Sequence, residues 1–183
     1  MKTSLIVCER TWPPFASLNS NILWIFRILF KRVSRFIVQT DKSKSWLNEN
    51  FFASNVTVIP NPVSYPLLCE KHSLAKPSSF ISNNQKVILA SGRMHKIKQF
   101  DLLIKAFTQI NDKYTDWILV ILGDGDQQDY LDQTVKDLDV SDRVIFPGRV
   151  GNIGEWYERA DLFVLSSVVE GFPNVLLEAM AYG

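Results

Sequence analysis

The chain has 183 residues, a length between those of one domain and two, and its 46% hydrophobic content suffices to bury a core. Its net charge of +1 argues against a nucleic-acid partner, which requires a strongly basic surface. No apolar segment reaches the roughly 18 residues of a membrane span. The two histidines argue against a histidine-based metal centre, and the two widely spaced cysteines fit a reduced, cytoplasmic interior.

The first part of the chain contains three short segments of strand-forming residues. They lie at residues 5–8, 36–38 and 56–59, and a short helix is predicted between the last two, at 43–50. Residues 1–60 therefore predict a partial N-terminal domain with a Rossmann-like order of strands and helices.

A helical period runs from Ile22 to Phe36. Its predicted buried face consists of Ile22, Phe26, Leu29, Val33 and Phe36. The other face carries Trp24, Ile28 and four cationic side chains, and no acidic residue occurs between Asn21 and Gln39. Two interpretations stay open: a helix packed on a sheet with a solvated cationic face, or a helix lying on an anionic membrane surface.

Residues 61–84 differ in composition from the rest of the chain, because they contain three prolines and several serines. Such a stretch is typical of a hinge or linker. Beyond it, strands are predicted at residues 86–91, 117–122, 143–146 and 161–165, the last as a buried strand, and a helical segment follows each of them. This alternation indicates βαβ units and a parallel sheet, so residues 85–183 predict a doubly wound, Rossmann-like α/β domain.

Three turns of this second domain follow predicted strands. In a parallel sheet the turns at the carboxyl ends of the strands face one crevice, where ligands bind. The turn at residues 91–98 carries Gly92, Arg93 and Lys98, a pair of cations suited to a diphosphate, although a solvated basic loop would look the same. The second turn is Gly123-Asp-Gly125, a weak signal by itself.

The third turn, at residues 166–174, joins a strand to a helix, and both the turn and the helix carry a carboxylate. Glu170 lies in the turn, Asn174 is a suitable helix cap, and Glu178 lies about one helical turn further on. A helix N-terminus favours phosphate, and a carboxylate one turn into the helix can accept two hydrogen bonds from a vicinal diol such as a ribose. The pairing of the two carboxylates favours a ligand site over an ordinary surface helix.

These turns, in this order, resemble the retaining GT-B glycosyltransferases of the "glycosyl transferases group 1" type, also called family 4. The resemblance is carried by Ser-Gly-Arg and Lys within residues 91–98, by Leu-Gly-Asp-Gly at 122–125, by Arg-Val-Ile-Phe-Pro-Gly at 143–148, and by the block at 160–183. It is strong over residues 86–183 and weak before them.

The resemblance implies a role for each matching residue. Arg93 and Lys98 would hold the donor diphosphate and stabilise the leaving group, and Glu170 would face the donor sugar; these three are the predicted catalytic residues. Glu178 would bind the ribose hydroxyls, and the strand around Ile145 would contact the base. The remaining predicted donor-sugar and phosphate contacts are Gly171, Phe172, Asn174 and Val175. His95 is expected to be an ordinary surface histidine.

The family implies a glycosyltransferase that moves a sugar from a UDP- or GDP-sugar to a saccharide or lipid-linked acceptor, in cell-surface polysaccharide or glycolipid synthesis. No bound metal or other cofactor is implied, since the two cations take the metal's place. The corresponding location is the cytoplasm, with peripheral contact at the inner face of the cell membrane. Asp124-Gly-Asp126 leaves one rival open, the metal-binding Asp-x-Asp motif of GT-A transferases.

The chain also departs from the family pattern. The N-terminal glycine-rich loop and the usual catalytic histidine have no counterpart in the sequence, and the match stops at Gly183, so we expect a fragment whose activity alone is in doubt. Two alternatives therefore stay open beside the transferase: a nucleotide-sugar epimerase of GT-B fold, and a non-catalytic donor-binding fragment.

Overall fold

The computed structural model describes residues 4–10, 20–51, 53–70 and 73–183. They divide into two compact units. The first unit comprises the residues up to Pro62 together with Val169–Pro173, and the second comprises Val63–Val168 together with Asn174–Gly183.

The first unit is built on a three-stranded parallel sheet in the order β1-β2-β3. The strands are β1 (Ile6–Glu9), β2 (Arg35–Val38) and β3 (Val56–Val58), with helices α1 (Ser20–Phe30) and α2 (Asp41–Phe51) between them. Phe30, Phe36 and Phe51 meet in its core, with the Phe30 ring centroid 4.7 Å from that of Phe36 and 4.8 Å from that of Phe51. The three strands predicted from the sequence are all present.

The prediction for the helix between the first two strands is wrong in two respects: where the helix ends and which of its residues are buried. It ends at Phe30, because the chain then turns and Ser34 N donates to Leu5 O at 2.8 Å, which starts the pairing of β2 with β1. Val33 and Phe36 are buried from the turn and the strand, whereas Leu29 is 48% exposed. The side chains of Ile22 and Phe26 lie outside the described part of the structure. Strand pairing prevailed over a helical period that a turn and a strand can imitate.

The second unit contains a four-stranded parallel sheet in the order β6-β5-β4-β7. The strands are β4 (Lys86–Ser91), β5 (Trp117–Leu122), β6 (Val144–Gly148) and β7 (Leu162–Phe163). The helices are α3 (Phe100–Asn111), α4 (Gln128–Asp137), α5 (Ile153–Arg159) and α6 (Asn174–Tyr182). The doubly wound α/β domain predicted from the sequence is confirmed.

Both faces of this sheet are covered, as expected for parallel strands. Alternate residues of β4 and β5 pack on α3 and α4 on one face, and the residues between them pack on α5 and α6 on the other. Strand β7 departs from the prediction of a buried strand at residues 161–165. It lies at one end of the sheet, pairs with β4 over Leu162 and Phe163, and leaves Leu162 48% exposed.

Part of the predicted hinge region is attached to the second unit. Glu70 N donates to Gly151 O at 2.8 Å, Gly151 N donates to Ser73 O at 2.9 Å, and Trp156 Nε1 donates to Ala75 O at 2.8 Å. These bonds tie residues 70–75 to the second unit, which begins at Val63. The position of the hinge within residues 61–84 stays a prediction.

No helix in the described ranges is both long and apolar enough to span a bilayer.

Candidate functional site

The turns after β4 and β5 are joined by backbone hydrogen bonds. Gly92 N donates to Leu122 O at 3.0 Å, and Met94 N donates to Asp124 O at 2.7 Å. In return, Gln127 N donates to Met94 O at 3.0 Å, so the residue before α4 is tied to the first turn. Two of the three turns predicted to meet at the carboxyl edge of the sheet therefore form one surface.

Glycine is required where the two turns touch. A Cβ atom on Gly123 would lie 2.0 Å from Gly92 O, and one on Gly125 would lie 2.4 Å from Met94 O. Gly123 also has a φ of +128°, a conformation that side chains disfavour. The Gly-x-Gly signal of the sequence therefore has a structural cause, namely the close approach of two backbone segments.

Lys98 crosses the first of these turns. A Cβ atom on Gly92 would lie 3.3 Å from Lys98 Cε and 3.7 Å from Nζ, so the lysine side chain passes directly over the bare backbone of Gly92. The third turn meets the same loop, because Ser166 Oγ donates to Lys98 O at 2.6 Å and Val168 N donates to Ile97 O at 3.0 Å. The lysine is thus held at the point where residues of all three turns come together.

A cleft of about 730 Å³ opens beside these turns. It is lined by Ser91, Gly92, Arg93, Leu122, Gly123, Asp124, Gly125, Arg149, Val150 and Ile153. Arg93, Asp124 and Arg149 are exposed, so two cations and one carboxylate face solvent in it. An open, polar cleft at the carboxyl edge of a parallel sheet is where α/β proteins bind nucleotides.

Arg149 is a cleft residue that the sequence reading missed. It follows Gly148, the last residue of β6, and Gly123 N donates to Gly148 O at 2.9 Å. The signal was available, because the residue after a third strand of the same parallel sheet must reach the same edge.

Glu178 lies in α6 and is held by a tyrosine of α5. The hydroxyl of Tyr157 donates to Glu178 Oε2 at 3.1 Å and is 3.3 Å from the carbonyl oxygen of Val175. Tyr157 is only 5% exposed, while Glu178 and Val175 are half-buried. Burial, followed by the charge of the nearby Glu178 carboxylate, raises the pKa of the Tyr157 phenol far above its ordinary value of 10.0. Tyr157 therefore stays a hydrogen-bond donor at all ordinary pH values.

The remaining predicted site residues occupy several parts of the fold. Ile145 lies in β6 opposite Val120 and is half-buried against the core that includes Trp156 and Tyr157. Asn174 is the first residue of α6 and is exposed. His95 is also exposed, as predicted, and its Nδ1 accepts from Ile97 N at 3.4 Å, so it caps the short 3-10 helix Lys96–Lys98.

Glu170, Gly171 and Phe172 lie in the segment Val169–Pro173, which groups with the first unit. All three are half-buried. Their predicted contact with a donor sugar stays a prediction.

The rival metal motif was Asp124-Gly-Asp126. Both carboxylates are exposed, and Asp124 contributes its backbone oxygen to the joined turns. No group of three His, Cys, Asp or Glu side chains in the ranges that the structure covers is close enough to hold a metal ion.

The family relationship follows from comparison with known proteins. Residues 73–183, more than half of the chain, match the family model "Glycosyl transferases group 1". The chain belongs to this family, and the resemblance read from its turns is confirmed.

A relative from Haemophilus influenzae, an uncharacterized glycosyltransferase, is 34% identical over 149 residues, which is 81% of this chain and 40% of the relative. A second relative, from Campylobacter jejuni, is named N-acetylgalactosamine-N,N'-diacetylbacillosaminyl-diphospho-undecaprenol 4-alpha-N-acetylgalactosaminyltransferase. It is 28% identical over 98% of this chain and 49% of its own length. The chain thus spans half or less of these two relatives.

Among solved structures, Anabaena Alr3699/HepE in complex with UDP superimposes with a TM-score of 0.82. The match covers 99% of this chain and 52% of that one, at 22% sequence identity. The similarity confirms the predicted GT-B architecture, with two units each built on a parallel sheet, and not the GT-A fold to which the Asp-x-Asp motif belongs.

Proposed function

We propose that this chain provides the donor-binding part of a glycosyltransferase, which moves a sugar from a nucleoside-diphosphate sugar to a saccharide or lipid-linked acceptor. The proposal is supported by family membership and by one structural observation above all. The Lys98 side chain lies across Gly92, and Gly92 and Arg93 both line the cleft at the strand ends.

The physical reason concerns the leaving group. When the glycosidic bond breaks, negative charge builds on the diphosphate, and fixed cations stabilise that charge in the transition state. Arg93 offers a planar fork of N–H donors and Lys98 a compact point charge, which together neutralise a diphosphate without a metal ion. A bound metal or other cofactor is therefore not part of the proposal.

The nucleoside is assigned to the residues beyond the diphosphate. Glu178 accepts the ribose hydroxyls, and the backbone of β6 around Ile145 contacts the base. The UDP named with the Anabaena structure makes UDP the first probe, and GDP the second. The donor sugar is assigned to Glu170, with Gly171, Phe172, Asn174 and Val175 beside it, as the family resemblance implies.

The acceptor is proposed to be a saccharide or a lipid-linked saccharide in cell-surface polysaccharide or glycolipid synthesis. The name of the Campylobacter relative specifies a diphospho-undecaprenol acceptor, which supports this class. No nucleic-acid partner is proposed.

Peripheral contact with an anionic membrane at the cytoplasmic face belongs to the same proposal. Helix α1 exposes Trp24, Ile25, Ile28 and Leu29, and exposed cations accompany them at Arg27, Lys31 and Arg32. Arg27 lies on the helix and the other two cations in the turn directly after it, and exposed apolar and cationic side chains together favour the interface of an anionic bilayer. Sedimentation with phosphatidylglycerol vesicles tests it: Trp24→Ala should reduce binding, and equal binding to neutral phosphatidylcholine vesicles would contradict it.

The donor site is tested by calorimetry with UDP and GDP. Arg93→Ala and Lys98→Ala should each weaken binding of the preferred nucleotide about tenfold or more, because each removes a charged hydrogen-bond partner. Lys96→Ala is the matched control: it removes an equal charge from the same loop, but Lys96 is exposed and lines a separate pocket with Gln99 and Tyr130, whereas Lys98 lies over Gly92. Unchanged binding in folded Arg93→Ala and Lys98→Ala proteins would refute the assignment.

The epimerase and the binding fragment predict different products. Incubation with UDP-glucose alone should leave the sugar unchanged for a transferase and give an epimer for an epimerase. Nucleotide binding without turnover, even with a lipid-linked saccharide acceptor present, would favour the non-catalytic fragment.

A further inference from the structure

We propose that Tyr157 is a positioning residue for the nucleoside site: its hydroxyl orients the Glu178 carboxylate so that the ribose hydroxyls meet a preformed acceptor. The inference rests on the proposed function, in which Glu178 binds the ribose. It adds a residue that no motif of the sequence contains.

The contact joins two helices on the same face of the sheet. Tyr157 lies in α5 and donates to Glu178 Oε2 in α6 at 3.1 Å. The same hydroxyl is 3.3 Å from Val175 O, one helical turn before Glu178. The tyrosine thus reaches the carboxylate and the backbone of the first turn of α6, so it defines the position of Glu178 relative to that helix end.

The ring that carries this hydroxyl is itself held firmly. Tyr157 is almost fully buried, and its ring packs against Phe163 at a centroid distance of 5.6 Å and against Tyr182 at 5.7 Å. Tyr182 lies close to Gly154 of α5, where a Cβ atom would be 2.5 Å from the Tyr182 hydroxyl oxygen. Helices α5 and α6 therefore pack closely. The Tyr157 hydroxyl is fixed in position, so its hydrogen bond favours one orientation of the Glu178 carboxylate.

A held carboxylate has a clear advantage for binding a diol. A free glutamate samples several rotamers, and binding would have to restrict them. An ionised carboxylate offers about four acceptor positions, so one hydrogen bond from Tyr157 leaves room for two ribose hydroxyls. Burial of the phenol among apolar neighbours keeps it protonated, and hence a donor, whenever the carboxylate is charged.

The test compares two nucleotides in calorimetry on the full chain: UDP, or GDP if that binds more tightly, and its 2′,3′-dideoxy analogue. The wild type should prefer the ribonucleotide, and Glu178→Ala should abolish that preference. Tyr157→Phe should reduce the preference about threefold to tenfold, the usual effect of one hydrogen bond, without changing affinity for the dideoxy analogue. Adding Tyr157→Phe to Glu178→Ala should have no further effect.

Tyr182→Phe is the matched control, because it removes a neighbouring hydroxyl that accepts from Leu67 N at 2.9 Å. It should keep the wild-type preference. Tyr157→Phe keeps the ring and its packing, so it is expected to fold, and its thermal melting is recorded alongside.

The outcomes separate the two proposals. If Glu178→Ala abolishes the preference but Tyr157→Phe keeps it, or weakens both nucleotides equally, Tyr157 is structural and the inference is overturned. If Glu178→Ala keeps the preference, or the wild type binds neither nucleotide, the ribose assignment itself fails, and the role of Tyr157 fails with it.

Discussion

The two units of this protein use the same parallel architecture but bury it to different extents. In the second unit, β4 and β5 are buried along almost their whole length, because helices cover both faces of the sheet. In the first unit, β1 alternates between exposed and half-buried residues, and Trp24, Ile25, Ile28 and Leu29 are exposed among the described side chains of α1. Among the residues that the structure describes, the second unit therefore has two buried hydrophobic clusters, and the first has one, which contains three phenylalanines.

The two units also differ in how well they should tolerate substitutions. The second unit brings two glycine-containing turns into direct contact to form its cleft, so a single added carbon atom has nowhere to go. The core of the first unit depends on ring packing around Phe30, where a substitution changes the filled volume and not the path of the backbone. Substitutions should therefore be most harmful at the joined turns, intermediate in the cores and least harmful on α1.

The largest effect is expected for Gly123→Ala. The new Cβ would lie 2.0 Å from Gly92 O at a φ of +128°, so overpacking and backbone strain should together lower the free energy of unfolding by about 4 kcal/mol. Gly148→Ala is the control, since its φ is +80° but nothing lies within 4 Å, and it should cost about 1 kcal/mol. Urea unfolding measures both; equal costs would mean that the turns separate easily.

The second-largest effect is expected for truncations of core side chains, and each should destabilise mainly the unit in which it lies. Leu119→Ala in the second unit and Leu47→Ala in the first each empty a fully buried position, at a cost of about 3 kcal/mol. Hydrogen exchange should show lost protection at residues 86–148 for Leu119→Ala and at residues 35–58 for Leu47→Ala. Loss spread evenly over the whole chain in either variant would contradict the division into two cores.

An intermediate effect is expected at alkaline pH, through Tyr157. Its pKa is raised on folding by burial and by Glu178, so the folded state retains a proton that the unfolded state releases above pH 10.0. The contribution of this group to the free energy of unfolding is fully present below pH 10.0. Above that pH it declines, by at most about 1.4 kcal/mol per pH unit.

Urea unfolding at pH 9 and pH 11 should therefore show a smaller alkaline loss in Tyr157→Phe than in the wild type. Tyr114→Phe, a change at an exposed tyrosine, should behave like the wild type. An identical loss in all three proteins would show that the phenol is not shielded.

The smallest effect is expected on α1. Trp24 is 64% exposed, so Trp24→Ala should change the free energy of unfolding by less than about 0.5 kcal/mol. Trp46, whose ring centroid is 5.5 Å from that of Phe51, is the comparison, and Trp46→Ala should cost clearly more. A large loss in Trp24→Ala, measured by urea unfolding, would mean that this exposed side chain supports the core of the first unit.

How far the sequence predicted the fold depended on burial. The bounds of β4 and β5 agree with the prediction residue for residue, because a strand covered on both faces is a continuous apolar run with clear ends. Helix α1 was predicted to end six residues too late, at Phe36 instead of Phe30, since spacings of three and four residues also occur where a turn leads into a strand. Strand β7 was predicted too long and too buried, because pairing only at the end of a sheet leaves no mark on composition.

The candidate site divides in the same way. The sequence by itself determined the family, the order of the three turns and the residue types on them, because glycine, arginine and carboxylate positions are local chemical requirements of a strand-end site. Only the tertiary structure decided that the Lys98 side chain lies over Gly92 and that Tyr157 holds Glu178. The first contact depends on the path of the loop between β4 and α3, and the second joins helices α5 and α6, whose packing no local pattern encodes.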